Sequence, residues 1–396
     1  MNKELFLKEN CPDRRGTDCS KWDILKNKYG DSNLLSMWVA DMDFKAPREV
    51  IEVLKKKVEF GVFGYSITRE EYYSAFINWE KENHNWEIKK DWIRFTPGVV
   101  TGIFWCVNLF TEKGDSVIIN MPVYYPFHTA IKDLDRNLIY SELVNKEGRY
   151  TIDFEDFEKK IIDNNVRLYI LCSPHNPVGR VWKEEELDKL LSICKKHGVI
   201  VISDEIHHDL VLWDNKHIPS GIVSNGRYSD IIITLTAASK TFNLAGMKNS
   251  FVIISNEDLR KKFDEYIKIL HEDTGNMLGY YAVETAYTHG KEWLKIVLEI
   301  IQDNYNYLKN RLNKELPFAI LTPLEGTYLA WLDLSAYTGK VKEEGMKDFV
   351  QNKARLAIDY GNWFGIGGDG FIRLNLATIP GNIKRAVDGL VKAANN

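Results

Sequence analysis

A chain of 396 residues, 44% hydrophobic and 27% charged, is long enough to bury a large core and has the composition of a soluble globular protein. Its net charge of −4 excludes the broad basic face that nucleic-acid binding requires, and no uninterrupted apolar run is long enough to span a bilayer. The five cysteines (Cys11, Cys19, Cys106, Cys172 and Cys194) form no CxxC and no Cys/His pair at metal-ligand spacing, so no metal centre is expected. Sparse thiols, and a start at Met1-Asn2-Lys3-Glu4 without a signal-peptide pattern, predict a cytoplasmic protein.

Residues 1–45 are largely polar and read as an arm, ending in the apolar segment Met37-Trp38-Val39-Ala40-Asp41-Met42-Asp43-Phe44. Pro47 opens a helix through Lys57, with Val50, Ile51, Val53, Leu54 and Val58 at helical spacings. Phe60 to Ser66 is a glycine-rich loop, and a second helix carries Tyr72, Tyr73, Phe76 and Trp79. From Trp92 onward, short apolar runs alternate with helical patterns. Strands are predicted at 92–96, 116–120, 168–172, 199–203 and 231–235, and helices at 99–110 and 184–197, the latter stopped by Gly198. Such alternation specifies a mostly parallel sheet covered by helices. After Phe251-Val252-Ile253-Ile254, helical patterns run to about Leu316, with one long segment from Tyr280 through Tyr307. The apolar runs at 326–332 and 371–376 suit a smaller α+β domain. The expected division is an arm with part of the small domain at 1–45, a large domain at 46–290 and a C-terminal small domain at 291–396.

In open α/β sheets, ligands bind beyond the carboxyl ends of the strands. Four predicted strands end in chemically suggestive residues: Gly98-Val99-Val100 after Pro97, Asn176 in the loop after Cys172, Asp204, and Lys240 in Ala238-Ser239-Lys240-Thr241. A glycine turn into a helix offers free N–H groups to a phosphate. Asp204 at the end of an apolar strand needs a partner, and a helix cap or structural ion pair would serve equally. A partly desolvated Lys240 amine would be nucleophilic enough to bond an aldehyde, although the segment alone also fits a surface lysine. Together, a lysine for an aldehyde, an acid for a ring nitrogen, donors for a phenolate and a phosphate cup answer the needs of pyridoxal 5'-phosphate.

These segments resemble the fold-type I pyridoxal-phosphate enzymes of the class I/II aminotransferase superfamily, and within it the MalY/PatB-type cystathionine β-lyase (C–S lyase) branch. The most specific matches are Ser173-Pro174-His175-Asn176-Pro177-Val178-Gly179-Arg180, Ser203-Asp204-Glu205-Ile206-His207-His208-Asp209-Leu210 and Ser239-Lys240-Thr241-Phe242-Asn243-Leu244-Ala245-Gly246. Others, from Arg15-Gly16-Thr17 and Lys21-Trp22-Asp23 to Arg373-Leu374-Asn375-Leu376-Ala377, extend the likeness over nearly the whole chain.

The resemblance implies an α/β fold with a mostly parallel seven-stranded sheet between helices, plus a smaller α+β domain. It implies that Lys240 holds the cofactor and later moves protons, that Asp204 keeps the ring nitrogen protonated, and that Asn176 donates to the phenolate oxygen. His207 would stand where aminotransferases commonly place a tyrosine, and Tyr124 would stack on the ring. Gly98, Val99, Val100, Ser239 and Lys248 would hold the phosphate, with Lys248 replacing a more usual arginine and Ala237 a more usual hydroxyl. Arg373 would grip the substrate α-carboxylate beside Ala40 and Asn176. Tyr65 would reach the phosphate of a neighbouring subunit, making the active unit a homodimer. The implied reaction is β-elimination on an amino acid with sulfur on Cβ. An aminotransferase uses the same lysine, aspartate and arginine and stays open as the alternative, as does a regulatory protein that binds the cofactor without turnover.

Overall fold

Apolar β-branched runs have no polar face to offer water, so they pair side by side beneath helices on both faces. In the computed structural model, which describes residues 2–338 and 343–395, strands of this kind form the centre of one seven-stranded sheet. Its strands are β1 (Ile93–Thr96), β2 (Ser116–Met121), β3 (Asn137–Glu142), β4 (Val166–Cys172), β5 (Ile200–Asp204), β6 (Ile232–Thr236) and β7 (Ser250–Ile253). Their order is β1-β7-β6-β5-β4-β2-β3. The pairs β6·β5, β5·β4, β4·β2 and β2·β3 are parallel, and β7 runs antiparallel to both its neighbours. The mostly parallel seven-stranded sheet is therefore as expected. Edge strand β3, which sequence periodicity missed, mixes exposed and buried positions and lacks the apolar run of the central strands.

Alternate residues of the central strands feed two cores. Ile118, Tyr169 and Val201 pack with Leu187, Leu190 and Leu191 of the helix Glu184–Lys196. Val117, Ile170 and Ile202 pack with Ile103 and Val107 of the helix Val99–Phe110. A third core joins the N-terminal segment, the C-terminal helices and a second sheet. That sheet contains β8 (Ile320–Leu321), β9 (Leu329–Asp333), β10 (Asp359–Tyr360) and β11 (Phe371–Asn375), antiparallel in the order β8-β9-β11-β10.

One expectation needs correction. The helix read from Tyr280 through Tyr307 is two helices, Met277–His289 and Lys291–Glu315. Gly290 separates them, and a Cβ there would collide with the Phe242 ring and the Ala286 carbonyl. The N-terminal stretch, read as an arm with part of the small domain, is held down along its length. Phe6 packs edge-on against Phe44 and Trp293, Leu25 and Tyr29 are buried, and Leu35–Ser36 pairs in parallel with Leu356–Ala357. Polar composition concealed these anchors because their short apolar groups, such as Leu5-Phe6-Leu7 and Ile24-Leu25, are broken up by charged residues.

One surface of the chain is left apolar. The helix Arg48–Phe60 buries only Val50 fully, and Val58, Phe60, Val62, Phe63, Tyr65 and Ile67 are exposed. No helix among the described residues is long and apolar enough to cross a membrane.

Candidate active site

The carboxyl ends of β4, β5 and β6 and the start of the helix Val99–Phe110 open into one cavity of about 300 Å³. It is lined by Ala40, Gly98, Val99, Val100, Tyr124, Asn176, Asp204, His207, Ser239, Lys240 and Lys248. Eleven residues named from the sequence thus converge in a single pocket. Arg373 adjoins it, its Nη1 donating to Asn176 Oδ1 at 3.0 Å. Tyr65 is fully exposed on the segment after the helix Arg48–Phe60 and is not among the lining residues.

Each position has a local cause. Gly98 precedes the helix with φ 156° and ψ 149°, a backbone conformation glycine adopts without the strain a Cβ brings. It turns the first N–H groups of that helix toward the cavity, where an anion would find unpaired donors and the positive end of the helix dipole. Opposite it, Lys248 lies in the left-handed region, with φ 50°. Lys240 sits in the one-turn helix Ala238–Thr241 directly after β6.

The Lys240 amine donates to the carbonyl of Ala40 at 2.6 Å. Burial lowers its pKa to about 8, with Asp41 and Asp204 opposing the shift and Arg373 adding to it. A lysine tuned this way carries a substantial fraction of free amine near neutral pH. Asp204 moves the other way: burial raises its carboxyl to about 7, against the Ile206 N–H at 3.1 Å and the charge of Lys240. His207 is pushed well below its ordinary value by burial and by the charges of Lys240 and Arg373, so it stays neutral. Its buried Nδ1 has no hydrogen-bond partner.

Several residues that sequence reading missed hold this geometry. Asn243 accepts from the Met42 N–H at 3.0 Å and donates to the carbonyls of Met42 and Phe44, fixing the 40–44 segment over the lysine. Tyr328 donates to the same Ala40 carbonyl at 2.8 Å. Arg14 binds Asp41 through both guanidinium ends, and the fully buried Lys21 reaches Asp43 at 3.0 Å. Asp359, whose carboxylate pairs with Arg373, was also missed. Asn243, with φ 59°, carried a visible signal, since asparagine is a usual choice for that conformation. The others depend on contacts between distant parts of the chain.

The donor set fits pyridoxal phosphate. A desolvated carboxylate suits a protonated ring nitrogen, a poised amine suits an aldehyde, and helix N–H groups with Ser239 and Lys248 suit a phosphate.

Comparison with known proteins agrees. The family model for aminotransferase class I and II matches residues 33–390. Cystathionine beta-lyase PatB of Bacillus subtilis is 39% identical over 94% of this chain and 97% of its own. Protein MalY of Escherichia coli is 31% identical over 96% and 97%. Among solved structures, cystalysin from Treponema denticola, which contains a pyridoxal 5'-phosphate cofactor, superposes with a TM-score of 0.93 at 40% identity, covering 97% of this chain and 98% of that one.

Proposed function

Since the chain belongs to the class I and II aminotransferase family and shares the fold of its pyridoxal-phosphate-dependent members, we propose that it is a C–S lyase of the cystathionine β-lyase type. It would convert cystathionine or another cysteine S-conjugate and water into a thiol, pyruvate and ammonia. The observation that carries this reading is the cavity itself, with an amine of lowered pKa and a buried carboxylate facing one space beside Arg373. The branch rests on lyase relatives that match almost end to end, including the C–S lyase of Staphylococcus hominis at 36% identity and a TM-score of 0.91.

The cofactor, when bound, supplies an electron sink for charge developing at the substrate Cα. The protein's part is binding and proton movement. Lys240 would provide the amine that attaches the aldehyde and, once released, the base for the Cα proton, a task suited to its lowered pKa. Asp204 would stabilise a proton on the ring nitrogen. Asn176 Nδ2 stays available for the phenolate oxygen, because its Oδ1 is engaged by Arg373. The neutral His207 and Tyr124 line the same cavity, and Tyr124 would cover the ring. The N–H groups of Val99 and Val100, the Ser239 hydroxyl and Lys248 would hold the phosphate. Arg373 would take the substrate α-carboxylate, with Ala40 at the edge of the site.

The exposed apolar surface around Phe60, Phe63 and Tyr65 supports a homodimer in which Tyr65 serves the neighbouring copy. Five free cysteines accord with a reducing cytoplasm. The helix break at Gly290 supports a domain boundary there.

The test is direct. Purified holoenzyme given cystathionine alone should release pyruvate in step with the thiol. Turnover that appears only when a keto acid is added would replace the lyase with a transaminase.

A further inference from the structure

Resting on the reading of Arg373 as the carboxylate anchor, the geometry around that side chain identifies a second participant. Asp359 and Arg373 are directly opposed across the antiparallel pair β10·β11. Both side chains are 2% exposed. Arg373 Nη2 donates to Asp359 Oδ2 and to the Trp38 carbonyl at 3.3 Å, and Nη1 donates to Asn176. Arg373 Nε and Asp359 Oδ1 are both buried without a partner.

A carboxylate docked on the side of a guanidinium uses Nε and Nη2 together. This pair makes one of those two bonds and leaves both remaining atoms unmet, a cost for each buried polar group. An incomplete pair of this kind holds the guanidinium in place without saturating it. The orphan Nε–H is one donor available to an incoming carboxylate.

That carboxylate would bring a second negative charge to one buried cation. The charged and titratable groups facing Asp359 are Arg373 on β11, Lys28 on the helix Leu25–Tyr29, and the phenols Tyr29, Tyr124 and Tyr125. The Lys28 amine is clamped between the Trp38 and Trp363 rings at 4.3 and 4.4 Å, and the three phenols, raised by burial, carry no charge near neutral pH. Burial already raises the Asp359 carboxyl above its ordinary value, against Arg373 and Lys28. A like charge arriving on the same guanidinium pushes it further up.

We propose that Asp359 is a positioning residue that sets the affinity of the site for an α-carboxylate, by sharing the Arg373 guanidinium with it and taking up a proton as the substrate binds.

The holoenzyme can be titrated with L-alanine, which has an α-carboxylate and no leaving group on Cβ, and with ethylamine, which lacks the carboxylate. Calorimetry in buffers of different ionisation enthalpy gives the protons exchanged, and the alanine-minus-ethylamine difference isolates the carboxylate. The wild type should take up more protons with alanine than with ethylamine between pH 7 and 9. Asp359→Asn should abolish that difference and bind L-alanine about tenfold more tightly, equivalent to ~1.4 kcal/mol, with ethylamine unchanged. An equal proton count for the two ligands in the wild type would overturn the proposal without any variant. So would unchanged or weaker alanine binding in a folded Asp359→Asn. Failure of the underlying reading shows separately, as Arg373→Lys binding alanine like the wild type.

Discussion

Two clusters of buried charge meet at the short helix Ala238–Thr241, and they are completed differently. Behind it, Asp209 accepts hydrogen bonds from Trp79 Nε1 at 2.8 Å, His84 Nε2 at 2.8 Å and Thr241 Oγ1 at 2.7 Å. His208 donates through Nδ1 to the Glu205 carbonyl and through Nε2 to Glu80. The Thr236 hydroxyl also lies 2.7 Å from Nδ1, and the charges of Asp209 and Glu80 favour the doubly protonated ring. Glu205 in turn receives Ser203 Oγ, the Ser220 N–H and His217 Nε2. Behind the helix, His217 Nδ1 is the single orphan among the groups just named, whereas in front of it His207 Nδ1, Arg373 Nε and Asp359 Oδ1 are all left without partners. Asp204 faces the cavity with a carboxyl raised by burial. Matched buried charges fix a structure, and unmatched ones in a cavity are where a ligand completes the bonding. The first cluster should therefore answer to mutation in stability and the second in chemistry.

The largest expected effect lies in the second cluster. Lys240→Ala should lower turnover by more than about 10⁴-fold, since the proposed attachment point and base would be lost together. The visible absorption band of the bound cofactor should disappear, and borohydride should no longer fix the cofactor to the chain. The denaturation midpoint of the cofactor-free protein should stay near that of the wild type. A large drop in that midpoint would show that the lysine also carries structural load and would break the contrast.

This difference between clusters also marks how far the sequence could be read. Lys240, Asp204 and Asn176 were legible because each lies at or just after the end of an apolar strand, where a local pattern places it at the sheet's ligand-binding edge. Asp359 was not, because its role comes from register with residue 373 in a strand of two residues that has no periodicity to read. Asp209 lay inside a quoted motif, yet its partners at 79, 84 and 241 come from two other helices, Glu70–His84 and Ala238–Thr241. The alternating core of the large sheet was plain from composition. Its edge strand β3 and the N-terminal anchors were hidden by polar neighbours.

Next in size, His208→Ala removes the cation shared by Glu80 and Asp209 and leaves buried carboxylates less compensated. It should destabilise the protein by about 3–5 kcal/mol in chemical denaturation, while turnover per folded, cofactor-loaded molecule changes only a few-fold. A variant that keeps its stability and loses activity would invert the assignment of the two clusters.

The pH responses should separate as well. Burial alone would lower the His208 pKa, but Asp209, Glu80 and the Glu205 carbonyl outweigh it and raise it to about 10. A folded-state pKa above the unfolded value contributes stability that is complete below about 6.5 and is lost as pH rises toward 10. Wild-type stability should therefore decline across that interval, and His208→Gln should flatten the decline. The Lys240 amine has a pKa lowered to about 8. The rate at which cofactor-free protein takes up pyridoxal phosphate should rise with pH and level off above about 8, by stopped-flow absorbance. A midpoint near the ordinary lysine value of about 10.4 would mean the amine is not desolvated in solution.

The smallest effect tests the joint between the clusters. Thr241 follows Lys240 in the chain, and its hydroxyl donates to Asp209 at 2.7 Å. Thr241→Val keeps the shape and removes that one donor, leaving Asp209 with Trp79 and His84 as well as the nearby charge of His208. A carboxylate that keeps most of its partners loses little, so the expected cost is about 1–2 kcal/mol of stability. If the clusters are separable, the pH midpoint of cofactor uptake stays near 8 in this variant. A shift of the midpoint toward higher pH would show that the matched cluster holds the lysine in its desolvated position through this hydroxyl. The network around Asp209 would then belong to the active site as much as to the fold.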